Sequence, residues 1–101
     1  ILVGVQLIVR KAKPDDALRL SALYNQLVNN PAVSVEPEQI QALYDDERSM
    51  LFVCEYQGDV VASALVSLCS DVMFRQQPFA VVENVIVDAV ARGLGVAPPY
   101  Q

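Results

Sequence analysis

Two apolar runs, residues 50–56 and 60–70, stand either side of Gln57-Gly58-Asp59, and this arrangement constrains the fold more than any other feature of the chain. A Gly-Asp step between strand-length runs of Val, Leu, Phe and Tyr is a β-hairpin signal, so the two runs should pair antiparallel. A third apolar run, 79–87, follows a loop through 71–78 and extends the hairpin into a meander. Upstream, residues 6–10 read as a first strand. Pro14-Asp15-Asp16 then offers acidic capping for a helix whose Leu20, Leu23, Tyr24 and Leu27 fall at i, i+3, i+4 and i+7. That helix ends before Asn29-Asn30-Pro31. A second helix opens with Pro37 in its first turn and carries Ile40, Leu43 and Tyr44 on one face. It ends in Asp45-Asp46-Glu47, charges that oppose the helix dipole and keep it short. Strand, helix, helix and three strands predict an α+β domain (α/β by some schemes) spanning 1–101. Residues 1–5 are either a vector remnant or the start of the first strand.

A chain of 101 residues has room for one domain, and 53% hydrophobic content is high for so small a surface-to-volume budget. Part of that apolar surface should be covered by a partner, so a homodimer is expected. Seven Lys and Arg against twelve Asp and Glu give a formal charge of -5 with no basic cluster, which argues against nucleic acid as a partner. The absence of His excludes a histidine base, a Ser-His-Asp triad and a His-ligated metal within the chain; no metal is expected. The apolar run 1–9 is too short to span a bilayer and is poorly built as a secretory signal, so no membrane association is expected. Cys54 lies near the hairpin turn and Cys69 at the far end of the longer strand, about 23 Å apart at strand rise, so they cannot form a disulfide. Two free thiols fit the reducing cytoplasm, and with no His or adjacent basic residue they read as small buried hydrophobes rather than nucleophiles.

The remaining signal is chemical. Glu83-Asn84-Val85-Ile86-Val87-Asp88 runs as an apolar strand into Arg92-Gly93-Leu94-Gly95-Val96-Ala97, a glycine-rich turn whose backbone N–H groups could cradle a phosphate. The sequence then reads Pro98-Pro99-Tyr100-Gln101, which does not sustain a helix. With the order of elements and Gly58-Asp59-Val60-Val61 at the hairpin, these residues resemble the N-terminal half of a GNAT-family N-acetyltransferase. Arg92, Gly95 and Ala97 fit that family's acetyl-CoA signature, Gln/Arg-x-x-Gly-x-Gly/Ala. The resemblance runs from about Leu7 to Ala97, and residues 98–101 form a tail outside it. The fold implied is a GNAT-like acyl-CoA N-acyltransferase fold cut short after the motif.

What the resemblance implies can be carried over position by position. The backbone around Val85, Ile86 and Val87 would bind the pantetheine arm of acetyl-CoA as a further strand would. The amides of Arg92, Gly93, Leu94, Gly95, Val96 and Ala97 would face the pyrophosphate, with glycine allowing close approach. Glu83 would be the base that takes the proton of an amine acceptor; the other reading is an ordinary strand carboxylate in solvent. Strand alternation sends Asn84 to the face opposite Glu83, so one of them should lie off the cleft. Tyr24, Tyr44 and Phe52 read as core packing, and Arg75 with Gln76-Gln77 as solvated loop. A sheet covered by two helices on one face leaves the other face and the last strand's edge exposed near residues 81–87. Two functions result: acetyl transfer from acetyl-CoA to an amine, or a catalytically inactive, self-associating remnant of such an enzyme with weak or no CoA binding.

Overall fold

A computed structural model describes residues 7–70, 78–89 and 91. The elements are β1 (Leu7–Lys11), a 3-10 turn (Pro14–Asp16), α1 (Ala17–Leu27), α2 (Pro37–Tyr44), β2 (Ser49–Tyr56), β3 (Asp59–Cys69) and β4 (Phe79–Val87). The strands form one sheet in the order β1-β2-β3-β4, every neighbouring pair antiparallel. This is the strand, two helices and antiparallel meander expected from sequence.

The β2–β3 hairpin turns on Gln57 and Gly58 alone, with φ of 53° and 84°, and Tyr56 pairs with Asp59. Positive φ at both central residues marks a type I′ turn, whose twist matches that of the flanking strands. An added Cβ at Gly58 would meet nothing within 4 Å, so backbone conformation rather than space selects glycine there.

The register sorts the side chains onto two faces. On one lie the cross-strand rows Leu51-Leu65-Glu83 and Arg10-Val53-Ser63-Ile86. Both helices pack on this face: Ala17, Leu20, Leu23 and Ile40 join Leu51, Val53, Val60 and Ile86 in the core. The opposite face carries Val9-Cys54-Ala62-Val87 and Met50-Val66-Val82 as cross-strand rows, and no described helix covers it. Cys54 sits opposite Ala62, seven positions from Cys69, and both thiols are free.

Beneath the helices, the Arg10 guanidinium reaches both carboxylate oxygens of Asp16 at 2.8 and 2.9 Å, and its Nε donates to Glu55. Asp16 also accepts the Lys13 backbone N–H at 2.8 Å, closing the turn into α1. At the other end of the helical region, the Asp46 carboxylate accepts the N–H groups of Arg48 and Ser49, which lowers its pKa and turns the chain into β2. The acidic run after Tyr44 therefore ends α2 as expected, with Asp46 serving the turn.

Two packing expectations need correction. Tyr44 is 44% exposed, and its ring lies 5.4 Å from the Lys11 ammonium instead of in the core, because α2 ends there beside the edge strand β1. Leu27, at the helix end, is 41% exposed and borders an open cavity.

Candidate functional site

β4 is one of the two edge strands of the described sheet, and it is not regular. Ser63 pairs with Ile86 and Leu65 with Glu83, so Asn84 and Val85 together face Ala64 alone. This is a β-bulge, with Asn84 at φ 55°, the left-handed conformation that Asn tolerates far better than a β-branched residue. The bulge overturns the expectation that Glu83 and Asn84 lie on opposite faces. Glu83 registers against Leu65 on the helix-side face, and Asn84 lines a cavity on that same side, because the extra residue breaks the two-residue alternation.

That cavity has a volume of about 320 Å³ and opens between the end of α1, the loop before α2, and the sheet. Tyr24, Val33, Val35, Ile40, Leu65 and Asn84 are among its walls, and Ser34 and Gln39 add polar groups. Tyr24 thus combines packing against the core with an exposed side toward the cavity. Glu83 is exposed one residue from Asn84.

The far end of β4 is tied to α1. Arg19 donates to the Asp88 carboxylate and, at 2.7 Å, to the Val60 carbonyl. The Gln26 side chain accepts the Ala89 N–H at 3.0 Å, and the Asp88 N–H reaches the Val61 carbonyl at 2.7 Å. Asp88 is 6% exposed, so its charge is compensated by the Arg19 guanidinium more than by water. A second cavity of about 320 Å³, bordered by Arg19, Tyr56, Asp59 and Asp88, lies at this end.

No family profile matches the chain, and no curated protein matches it in sequence. Solved structures do. A protein of Agrobacterium tumefaciens, provisionally described as an acetyltransferase, superposes with a TM-score of 0.75 at 26% identity, covering 87% of this chain and 63% of its own. An acetyltransferase of Trypanosoma brucei gives 0.73 at 24% identity, and the glucosamine-6-phosphate N-acetyltransferase of Arabidopsis thaliana 0.74 at 20%; each covers 90% of this chain and 66% of its own. The chain has the GNAT acyltransferase fold. It spans 63–66% of the length of these matched structures.

Within the GNAT fold, the predicted site residues divide. Glu83 and Val85 are exposed, Val85 within the bulge, while Ile86 is 3% exposed and packs into the core and Val87 is half-buried. Arg92, Gly93, Leu94, Gly95, Val96 and Ala97 lie outside the described residues, as do Arg75, Gln76 and Gln77. The described chain does bring β4 to the point where that segment begins, fixed there by Arg19 and Gln26. Neither residue is legible as functional in sequence, since both sit on the polar side of an ordinary amphipathic pattern. Asn84 carried a signal: Asn is one of the few non-glycine residues suited to positive φ, and it interrupts a β-branched strand. Burial pushes the Cys54 thiol pKa up, with Glu55 adding to the effect, which disfavours thiolate chemistry. Among the described residues no cluster of His, Cys, Asp or Glu could hold a metal, and no helix is long and apolar enough to cross a membrane.

Proposed function

We propose that this chain binds acetyl-CoA along β4 and takes part in acetyl transfer to an amine. The observation that carries the reading is the bulged outer strand: Asn84 and Val85 interrupt β4 beside a cavity, in a fold shared with acetyltransferases. The main chain around Val85, Ile86 and Val87 would pair with the pantetheine amides in the manner of an added strand. Residues Arg92 to Ala97 would direct their N–H groups at the pyrophosphate. In the reaction the amine nitrogen attacks the thioester carbonyl, the N–C bond forms and the C–S bond breaks. The nitrogen's proton passes to Glu83, directly or through water, and the departing thiolate takes a proton from solvent. Free Cys54 and Cys69 fit a cytoplasmic setting.

Isothermal titration of acetyl-CoA into the 101-residue protein tests this reading directly. Saturable binding is expected, weakened at least tenfold in an Arg92→Glu, Gly95→Val variant. No heat at millimolar ligand would sink it.

A second reading, self-association without catalysis, is favoured by the helix-free face. Val9 and Val82 there are 69% and 56% exposed, in rows with Cys54, Ala62 and Val66. At about 4.8 Å between strands and about 3.3 Å per residue, a face of this kind offers roughly 500 Å² in projection. Two copies would bury about 1,000 Å², the lower bound for a specific interface. The partner on this reading is a second copy of the chain. Analytical ultracentrifugation should then give a dimer mass that Val9→Lys with Val82→Lys converts to monomer. A wild-type monomer at tens of micromolar would count against it.

A further inference from the structure

We infer that the cavity beside Asn84 is the acceptor subsite and that it selects amines whose remaining body is apolar and uncharged, of the size of a leucine or phenylethyl side group. The inference rests on the transferase reading and adds the substrate class. The surface charge by itself points elsewhere, because a protein of net charge -5 would suit a polycationic amine. The cavity reverses that choice.

Its described walls hold no Asp, Glu, Lys or Arg; they are Leu, Val, Ile and Tyr, with Ser34, Gln39 and Asn84 as the polar exceptions. Ser34 is already engaged, its hydroxyl donating to Glu36 at 2.8 Å. A second or third ammonium held deep between these walls would lose water and meet no carboxylate in them, the Glu36 carboxylate lying outside in solvent, and an uncompensated charge costs several kcal/mol. A branched aliphatic or aromatic group loses nothing by entering, and each buried CH₂ contributes about 0.8 kcal/mol. The volume of about 320 Å³ equals the liquid share of about ten waters, at roughly 30 Å³ each, which is ample for a small amine with an apolar body.

Orientation follows from the bulge. Asn84 stands in the cavity wall and Glu83 follows Leu65 across the sheet on the same face, exposed at the margin. Two carboxylates stand outside the walls: Glu36, exposed and already accepting the Ser34 hydroxyl, and Glu83 beside Asn84 on the β4 side, where the thioester would lie. An amine with its apolar body between α1 and α2 would present its nitrogen there, so a single ammonium has a partner while the rest of the molecule lies against uncharged walls.

The test is binding, read by amide chemical-shift perturbation with phenethylamine, leucinamide and spermidine, each with and without saturating coenzyme A. Phenethylamine and leucinamide should shift the amides of residues 24–43 saturably, with spermidine at least tenfold weaker. Leu27→Lys, at a position already 41% exposed, should weaken phenethylamine at least tenfold, and Gln39→Glu, at an exposed helix position, should narrow its advantage over spermidine. Spermidine binding equal to phenethylamine, or no saturable shift with either apolar amine in both conditions, overturns the proposal. Failure of the transferase reading would instead show as absent acetyl-CoA binding in calorimetry while apolar amines still bind.

Discussion

Arg10→Met is expected to cost about 3 kcal/mol of folding stability and to lower the Tm by roughly 12 °C or more, taking 4–8 °C per kcal/mol for a domain of this size. Arg10 links two carboxylates that the fold brings together from distant parts of the sequence, Asp16 at the entry to α1 and Glu55 on β2. Their side chains are 10% and 22% exposed, so water cannot replace the lost guanidinium. Met fills the stem but leaves like charges facing each other in a poorly solvated space. The pH dependence gives a second check. The Arg10 side chain is the largest influence lowering the Asp16 pKa, with the Lys13 N–H assisting. A carboxylate whose folded pKa is depressed contributes stability that is present in full above its unfolded value of about 4 and is lost as pH falls through the folded value. Urea unfolding at pH 7 and pH 3 should therefore show the gap between wild type and variant narrowing at the lower pH. A gap that stays constant would mean that Arg10 acts through packing alone.

Asn84→Val should destabilise the fold by about 1–3 kcal/mol, the cost of holding a β-branched residue at positive φ, whereas Asn84→Gly should hold stability within about 0.5 kcal/mol. The effect on the site should exceed the effect on the fold. If β4 relieves the strain by absorbing the bulge, the strand before it slips by one position, turning Glu83 toward the helix-free face and Val82 toward the helices. On the proposed function, the Glu83 carboxylate and the bulged backbone at Val85 would then be lost to the site together. Acetyl-CoA affinity in Asn84→Val is expected to fall at least tenfold, equivalent to about 1.4 kcal/mol, with Asn84→Gly near wild type. Thermal unfolding beside calorimetry of the two variants decides it. Equal stability and equal binding in both would show that the left-handed residue has no role in the site.

These two sites also separate what can be read locally from what cannot. The helices and strands were legible because each rests on a short-range rule. Leu20 and Leu23 repeat at helical spacing and are both fully buried, Pro37 opens α2, and Gly58 makes the hairpin turn. The glycine-rich motif at 92–97 is also a contiguous pattern, but it lies outside the described residues. What escaped the sequence depends on groups far apart along it. The pairing of Arg10 with Glu55, and of Arg19 with Asp88, joins residues 45 and 69 positions apart, and nothing in either segment marks its partner. The cavity draws its walls from both helices, the loop between them, and three strands, so its apolar character belongs to no single segment. The bulge is the clearest instance: alternation assigned Glu83 and Asn84 to opposite faces, and one extra residue in β4 put both on the same side. Local sequence determined the elements, their order and the antiparallel meander, because hydrogen bonding and side-chain period act over a few residues. Only the tertiary structure decided the strand register, the shared face of Glu83 and Asn84, and the chemistry of the cavity, because register is fixed by which distant side chains pack together.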